Sequence, residues 1–358
     1  MEKKGALRLL GGVCLVFILI ATSSSMANAQ KAPEPIKLTM ISAWPLTDLA
    51  INYSPRQLKK YVEAWSGGQI QVDFKGGPEI VAFPEIPKVV ERGMFDIGYT
   101  CPPYVGSQYP ATQLYNFVNP RNMRLAVRDE KLWDLMDRVT RTHGMTFLGA
   151  WQGDIPAFYL FAKKPTLDKD GRISSFKGLK IRTPGPFASD FITALEGTPV
   201  TMHPGEVYEG IRRKLVDGTM LPMNSAVQGR YWEIITHLTR EGIFLFNSVG
   251  FMNANVFDKL SPEHKKIIMA AAKETSYVAY NYVGAITWDG FSSKAGFKDV
   301  TVLFLDEKSQ QAITKARETK LNAFAAAVPS LSKEILEKFK IYYGGEDLPI
   351  ASEVSVAR

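Results

Sequence analysis

Strand-like and helix-like stretches alternate along this chain, and this alternation constrains its fold more than any other feature. Residues 36–42 and 70–74 alternate apolar and polar side chains, as strands do. Between them, residues 49–65 place apolar side chains near helical spacing and end at a Gly-Gly pair. Such alternation favours an α/β fold.

The same pattern continues toward the C-terminus. The spacing of apolar side chains predicts helices over residues 122–142, 307–328 and 331–343, and strands over residues 145–151 and 158–162. With 358 residues, the chain exceeds the usual size of one domain, so we expect two lobes.

A long helix is predicted to begin at Pro262. Ser261 before it is a good N-cap, and proline is favoured at the first helical position. The helical pattern continues toward Trp288, so the predicted helix is longer than most helices of globular proteins. The alternative is two helices broken near Gly284 or Gly290.

The first 29 residues have the pattern of a secretory signal peptide. Lys3, Lys4 and Arg8 give a positive start, residues 11–21 are largely apolar, and small residues lead to Ala29, after which we expect cleavage. A membrane anchor is the competing interpretation, but the apolar run is short for a bilayer span.

Cleavage would change both the charge and the cysteine content. It removes three basic residues and one acidic residue, which lowers the net charge from +7 to +5. No basic run remains, so the sequence argues against nucleic acid as a partner. Removal of Cys14 leaves Cys101 as the one cysteine, so no internal disulfide is expected.

The segment GLKIRTPG, at residues 178–185, is the most informative for function. It reads as a short strand with Leu179 and Ile181 on one side and Lys180 and Arg182 on the other. Proline and glycine then end the strand. An arginine fixed at a strand end can bind a carboxylate through two hydrogen bonds. Taken alone, the segment also fits an ordinary surface arginine.

The surrounding segments are more specific. PVTM at residues 199–202 and EVYEGIRRKLVDG at residues 206–218 follow it, and VVERGMFDIG at residues 89–98 precedes it. Over residues 36–266, the order and spacing of these segments resemble the DctP-type solute-binding proteins of TRAP (tripartite ATP-independent periplasmic) transporters.

This resemblance implies a two-lobed periplasmic-binding-protein fold of the α/β class, with a hinge, a central cleft and a long helix spanning both lobes. It implies that residues 31–155 and 247–285 form lobe I, and that residues 156–246 and 286–358 form lobe II. A signal peptide and this family together predict a periplasmic protein.

The resemblance also implies a ligand site. Arg182 matches the arginine that pairs with the substrate carboxylate in that family. At three positions where some sialic-acid-type members carry polar side chains, this chain has Phe158, Cys101 and Leu221. We therefore expect a monocarboxylate with an apolar or aromatic body.

Other candidate contacts are replacement polar groups and cleft walls. Asn224 and Gln228 follow Leu221 and could replace the missing polar contact. The predicted wall consists of Ser42, Trp44, Tyr99, Tyr104, Trp151 and Phe158.

The sequence offers no catalytic arrangement that outranks a binding site. None of the four histidines has a metal-binding spacing, and no nucleophile elbow or phosphate-binding glycine loop occurs. We expect no cofactor, no metal and no enzymatic activity.

The leading hypothesis is a monomeric extracytoplasmic receptor that delivers an organic acid to membrane-embedded TRAP permease subunits. A sensor of the same fold and, more distantly, a secreted hydrolase are the alternatives.

Overall fold

Two β-sheets organise the protein, and helices cover them. The computed structural model describes residues 34–47, 52–105, 109–118, 123–151, 157–243, 247–292 and 294–343. The predicted signal peptide and its cleavage site lie outside these residues. No helix among them is long and apolar enough to cross a membrane.

The strands are β1 (Ile36–Ser42), β2 (Ile70–Gly76), β3 (Ile97–Thr100), β4 (Met145–Ala150), β5 (Ala157–Phe161), β6 (Thr166–Leu167), β7 (Ile173–Ser175), β8 (Lys180–Thr183), β9 (Thr198–Thr201), β10 (Gly218–Pro222), β11 (His237–Thr239), β12 (Val249–Asn253) and β13 (Thr301–Leu303).

The α-helices are α1 (Tyr53–Trp65), α2 (Ile86–Glu91), α3 (Pro102–Val105), α4 (Met123–Ala126), α5 (Glu130–Arg141), α6 (Pro186–Ala194), α7 (Val207–Arg212), α8 (Met223–Gln228), α9 (Ala254–Lys259), α10 (Pro262–Ser292), α11 (Lys294–Phe297), α12 (Glu307–Ala327) and α13 (Ser332–Tyr343). Short 3₁₀ helices cover Phe83–Glu85, Pro110–Phe117, Pro204–Glu206, Tyr231–Glu233 and Pro329–Leu331.

The first sheet has five strands in the order β2-β1-β3-β12-β4. β1 is parallel to β2 and β3, whereas β12 is antiparallel to both β3 and β4. β1, β3 and β4 therefore run in the same direction, and their carboxyl ends meet at one edge of the sheet. Ligand sites in open α/β sheets form at such an edge.

The second sheet has six strands in the order β13-β11-β5-β10-β8-β9. β10, β8 and β9 are parallel, and β5 is antiparallel to β10. The carboxyl ends of β8, β9 and β10 thus share an edge with the beginning of β5. A separate two-stranded sheet pairs β6 with β7.

The long helix α10 is continuous from Pro262 to Ser292, so the alternative of two helices is wrong. The backbone N–H of His264 donates to the Ser261 hydroxyl oxygen over 3.1 Å, which confirms the predicted N-cap. The helix contacts α1 and β4 beside the first sheet and α8 beside the second.

The chain passes between the sheets more than once. Strands up to β4 belong to the first sheet, β5 and β8–β11 belong to the second, β12 returns to the first, and β13 lies in the second. The lobe boundaries proposed above stay a prediction. Near the C-terminus, α13 contacts α5 of the first-sheet side as well as α12.

One predicted helix is divided. Instead of one helix over residues 122–142, the described part of this range forms α4 and α5, and Asp129 lies between them. The Asp129 carboxylate accepts a hydrogen bond from the backbone N–H of Lys131, which makes it the N-cap of a new helix. The apolar spacing continues across this break, and for this reason a single helix was predicted.

Candidate ligand-binding site

Predicted wall residues collect where three strands of the first sheet end. Trp44 follows β1, Tyr99 and Cys101 lie at the end of β3, and Trp151 follows β4. The ring of Tyr99 is 5.0 Å from that of Trp44 and 5.6 Å from that of Trp151. Phe83, which the sequence interpretation missed, contacts Trp44 edge-on at 5.0 Å. The edge therefore carries a continuous aromatic layer.

Ser42 orders the backbone beneath this layer. Its buried hydroxyl donates to the side-chain oxygen of Asn52 over 2.7 Å and accepts from the backbone N–H of Trp44 over 3.1 Å. Asn52 in turn donates to the carbonyl oxygen of Pro45 over 2.7 Å. These contacts fix the turn after β1, so Ser42 acts here on the position of Trp44.

Trp151 is held from several sides. Its indole N–H donates to the carbonyl oxygen of Leu148 over 2.7 Å, and its own carbonyl oxygen accepts from Ser54. Its ring lies against Gly250, where a Cβ atom would overlap it. Trp151 is fully buried and forms the rigid back of the aromatic layer.

Arg182, Phe158 and Leu221 share one face of the second sheet. Arg182 lies beside Thr219 in the pairing of β8 with β10, and Leu221 lies directly opposite Phe158 in the pairing of β10 with β5. Side chains two residues apart on a strand point to the same face, which joins Thr219 to Leu221. The structure therefore brings together the three residues predicted from separate segments.

Arg182 is fully buried, although Lys180 on the same strand face is exposed. Its guanidinium donates from Nε and Nη2 to the carbonyl oxygen of Met202, over 3.0 and 2.8 Å. A longer contact of 3.5 Å joins Nη1 to the carbonyl oxygen of Met220. These carbonyl oxygens fix the direction of the guanidinium. A guanidinium held in one direction can present its planar fork to a carboxylate.

Cys101 follows the last residue of β3, at the edge of the first sheet. Its thiol is completely buried and donates to the carbonyl oxygen of Asn247 over 3.3 Å. Burial raises the pKa of the thiol well above its usual range, while a hydrogen bond with Ser248 and the positive charge of Arg182 act in the opposite direction. Arg182, in the second sheet, thus lies within electrostatic range of Cys101, in the first.

The helices next to these two residues also meet. α3 begins directly after Cys101, α6 begins shortly after Arg182, and the two helices contact each other. Asn247, Ser248 and the α3–α6 contact were not predicted. Their partners are distant in the chain, and no local pattern marks them.

The remaining predicted contacts are less defined. Asn224 lies in α8, but its side chain is outside the described residues, as is that of Tyr104 in α3. Gln228 is exposed at the end of α8, away from the buried start of that helix. Asn224 and Gln228 remain predictions, and so does the binding role of every other residue above.

Within the described ranges, no group of three or more histidine, cysteine or acidic side chains is placed to hold a metal ion. Among the histidines, His203 is exposed and caps a 3₁₀ helix, because its Nδ1 accepts a hydrogen bond from the backbone N–H of Gly205 over 3.3 Å.

The two helix-covered sheets, linked by several chain crossings, form a two-lobed α/β fold that is also seen in solved TRAP periplasmic solute receptors. The chain belongs to the family described as bacterial extracellular solute-binding protein, family 7, whose profile matches residues 42–333. This confirms the family and the fold class predicted from the sequence. The protein is therefore a solute-binding protein.

Several relatives support this assignment. The ectoine-binding periplasmic protein TeaA of Halomonas elongata is 23% identical over 291 residues, which cover 79% of this chain and 83% of TeaA. DctP7, a Bordetella pertussis extracytoplasmic solute receptor binding pyroglutamic acid, superposes with a TM-score of 0.69 at 16% identity, covering 85% of this chain and 99% of DctP7.

A third similar structure is a TRAP periplasmic solute binding protein from Bordetella bronchiseptica with bound (R)-mandelate and (S)-mandelate. Its TM-score is 0.69 at 19% identity, and the match covers 87% of this chain and 99% of that protein. At this level of identity the two structures establish the shared fold.

Proposed function

We propose that this protein captures an organic monocarboxylate between its two lobes and delivers it to membrane-embedded TRAP permease subunits. It works outside the cytoplasm, after loss of residues 1–29, as a monomer and without catalysing a reaction. The observation that carries the proposal is the fully buried guanidinium of Arg182, which the carbonyl oxygen of Met202 holds in place close to where helix α6 of the second sheet contacts helix α3 of the first.

The surroundings of Arg182 support a ligand with an apolar body. Phe158 and Leu221 on its own sheet face are apolar, and Leu221 is buried while Phe158 is half-buried. On the first sheet, the half-buried ring of Trp44 packs against the fully buried ring of Tyr99. A carboxylate at Arg182 would leave the rest of the ligand against these groups. Mandelate, bound by one of the structural relatives, has this chemistry of one carboxylate and one phenyl ring.

Closure of the lobes around a ligand follows from the position of the ligand contacts in both sheets. Arg182 belongs to the second sheet and Tyr99 to the first, so a ligand that touches both binds the closed arrangement of the lobes better than an open one. Only such a difference in affinity can shift a hinged protein toward closure. The closed form is then the form that a permease would recognise.

A thermal-shift screen of the protein tests this proposal. Aromatic and aliphatic monocarboxylates are compared with uncharged sugars of similar size. We expect at least one monocarboxylate to raise the melting temperature, since a ligand selective for the native state stabilises it. The proposal is wrong if only uncharged sugars raise the melting temperature.

A chemical control separates a receptor from a hydrolase. The stabilising compound is recovered after incubation and compared with the compound that was added. We expect it to be unchanged, and conversion to a product would favour the hydrolase alternative.

A further inference from the structure

We propose that Gly185 is a closure contact, at which the absence of a side chain lets the two lobes come close enough to bind a ligand. The inference rests on the proposed function and deepens it. It starts from a close approach between Gly185, at the start of α6, and Pro103, in α3. A Cβ atom built on Gly185 would lie 2.8 Å from the carbonyl oxygen of Pro103. Real Cβ atoms do not approach other atoms this closely.

The backbone conformation of Gly185 does not require glycine. Its φ of 165° and ψ of −171° describe an extended backbone that alanine also adopts. Of the atoms that a methyl group at this position would meet within 4 Å, all belong to Pro103. The lack of space for a Cβ atom beside Pro103 is therefore what requires glycine at position 185.

Neither the backbone at Gly185 nor the backbone at Pro103 can move aside easily. The Thr183 hydroxyl donates to the carbonyl oxygen of Gly185 over 2.9 Å and accepts from its N–H over 3.3 Å. The same carbonyl oxygen accepts from the N–H of Ala188 over 3.1 Å. On the other side, Pro103 follows Pro102, and two proline rings restrict that backbone. An added methyl group would therefore push the two sheets apart.

The contact lies next to the residues that the ligand would bridge. Gly185 is three residues after Arg182, and Pro103 is two residues after Cys101. Separation at this contact would move the guanidinium away from the opposite wall. The apparent affinity would then fall in proportion to the loss of the closed form.

The experiment compares Gly185→Ala with Gly205→Ala. Gly205 follows β9, the strand that pairs with β8 in the second sheet. A Cβ atom on Gly205 would meet only the His203 ring, at 3.5 Å and beyond, which is an ordinary contact distance. Affinity is measured by calorimetry with the monocarboxylate that gives the largest thermal shift. Melting of the unliganded proteins is measured in parallel.

We expect Gly185→Ala to weaken binding at least about tenfold, with Gly205→Ala unchanged. Both unliganded variants should melt within a few degrees of the wild type, because an open form relieves the overlap. Gly185→Ala should reduce the affinity less in a Pro103→Gly background than in the wild-type background, since the backbone opposite the methyl group can then move.

Three other results would overturn the inference about Gly185. Wild-type affinity in Gly185→Ala overturns the inference and leaves the proposed function intact. Loss of folding in unliganded Gly185→Ala also overturns it, because Gly185 would then be a packing position of the core. Absence of any monocarboxylate binding to the wild type removes the proposed function and, with it, this inference.

Discussion

Phe158 lies directly opposite Leu221 in the antiparallel pair of β5 and β10, on the sheet face that also carries Arg182. Two apolar side chains thus stand beside a buried cation. A carboxylate bound to Arg182 would direct its body toward them or toward the aromatic layer of the first sheet. This pair therefore bears on which carboxylate the protein selects.

The first prediction concerns Phe158→Ala. It should weaken an aromatic carboxylate by roughly 1–2 kcal/mol, because ring contact is lost, and should weaken a short aliphatic carboxylate much less. Calorimetry with benzoate-type and acetate-type ligands measures the difference. An equal loss for both classes would show that Phe158 does not face the body of the ligand.

The second prediction concerns the packing behind the site. Gly250→Ala should lower the free energy of unfolding by about 1–3 kcal/mol, because a methyl group would overlap the ring of Trp151, which is fixed by its own hydrogen bonds. Denaturant unfolding checks the value, with Gly205→Ala as the control. Unchanged stability would mean that Trp151 can move without cost.

The third prediction concerns Asp129, which joins α5 to the C-terminal helix. It accepts hydrogen bonds from Tyr342 over 2.6 Å and from Lys338 over 2.9 Å. Burial alone would raise its pKa, but these hydrogen bonds and those from the backbone of Lys131 and Leu132 outweigh burial and lower the pKa to about 2.

A carboxylate with a lowered pKa in the folded state stabilises the protein above its unfolded-state pKa, which is about 4. Asp129→Asn keeps a capping side chain but loses the charge, so it should destabilise the protein by about 2 kcal/mol near neutral pH. The difference from the wild type should narrow as the pH falls from 4 toward 2. Urea unfolding at several pH values would contradict this if the difference stayed constant.

The sequence predicted local elements well where one pattern determined the structure. The strand over residues 36–42 and the helix beginning at Pro262 appear as predicted, because side-chain alternation and an N-cap act locally. The prediction of a single helix over residues 122–142 was wrong because the carboxylate of Asp129 caps a new helix without interrupting the apolar spacing.

The site was only partly accessible to sequence reasoning. Arg182 could be chosen from its segment, but its contacts with the carbonyl oxygens of Met202 and Met220 depend on how three strands align. In the same way, the carbonyl oxygen of Asn247 reaches Cys101 only because β12 returns to the first sheet after a long excursion through the second. Such pairings depend on register, which the local sequence does not encode by itself.

The most direct measurement is calorimetric titration of Arg182→Lys with the monocarboxylate that best stabilises the wild type. Lys180→Ala is the control, because Lys180 is a basic but exposed residue of the same strand face. We predict that Arg182→Lys loses at least about tenfold in affinity, or about 1.4 kcal/mol, since a point charge replaces a forked contact. Lys180→Ala should bind like the wild type. Equal affinity of Arg182→Lys and the wild type would contradict the central claim that Arg182 binds the ligand carboxylate.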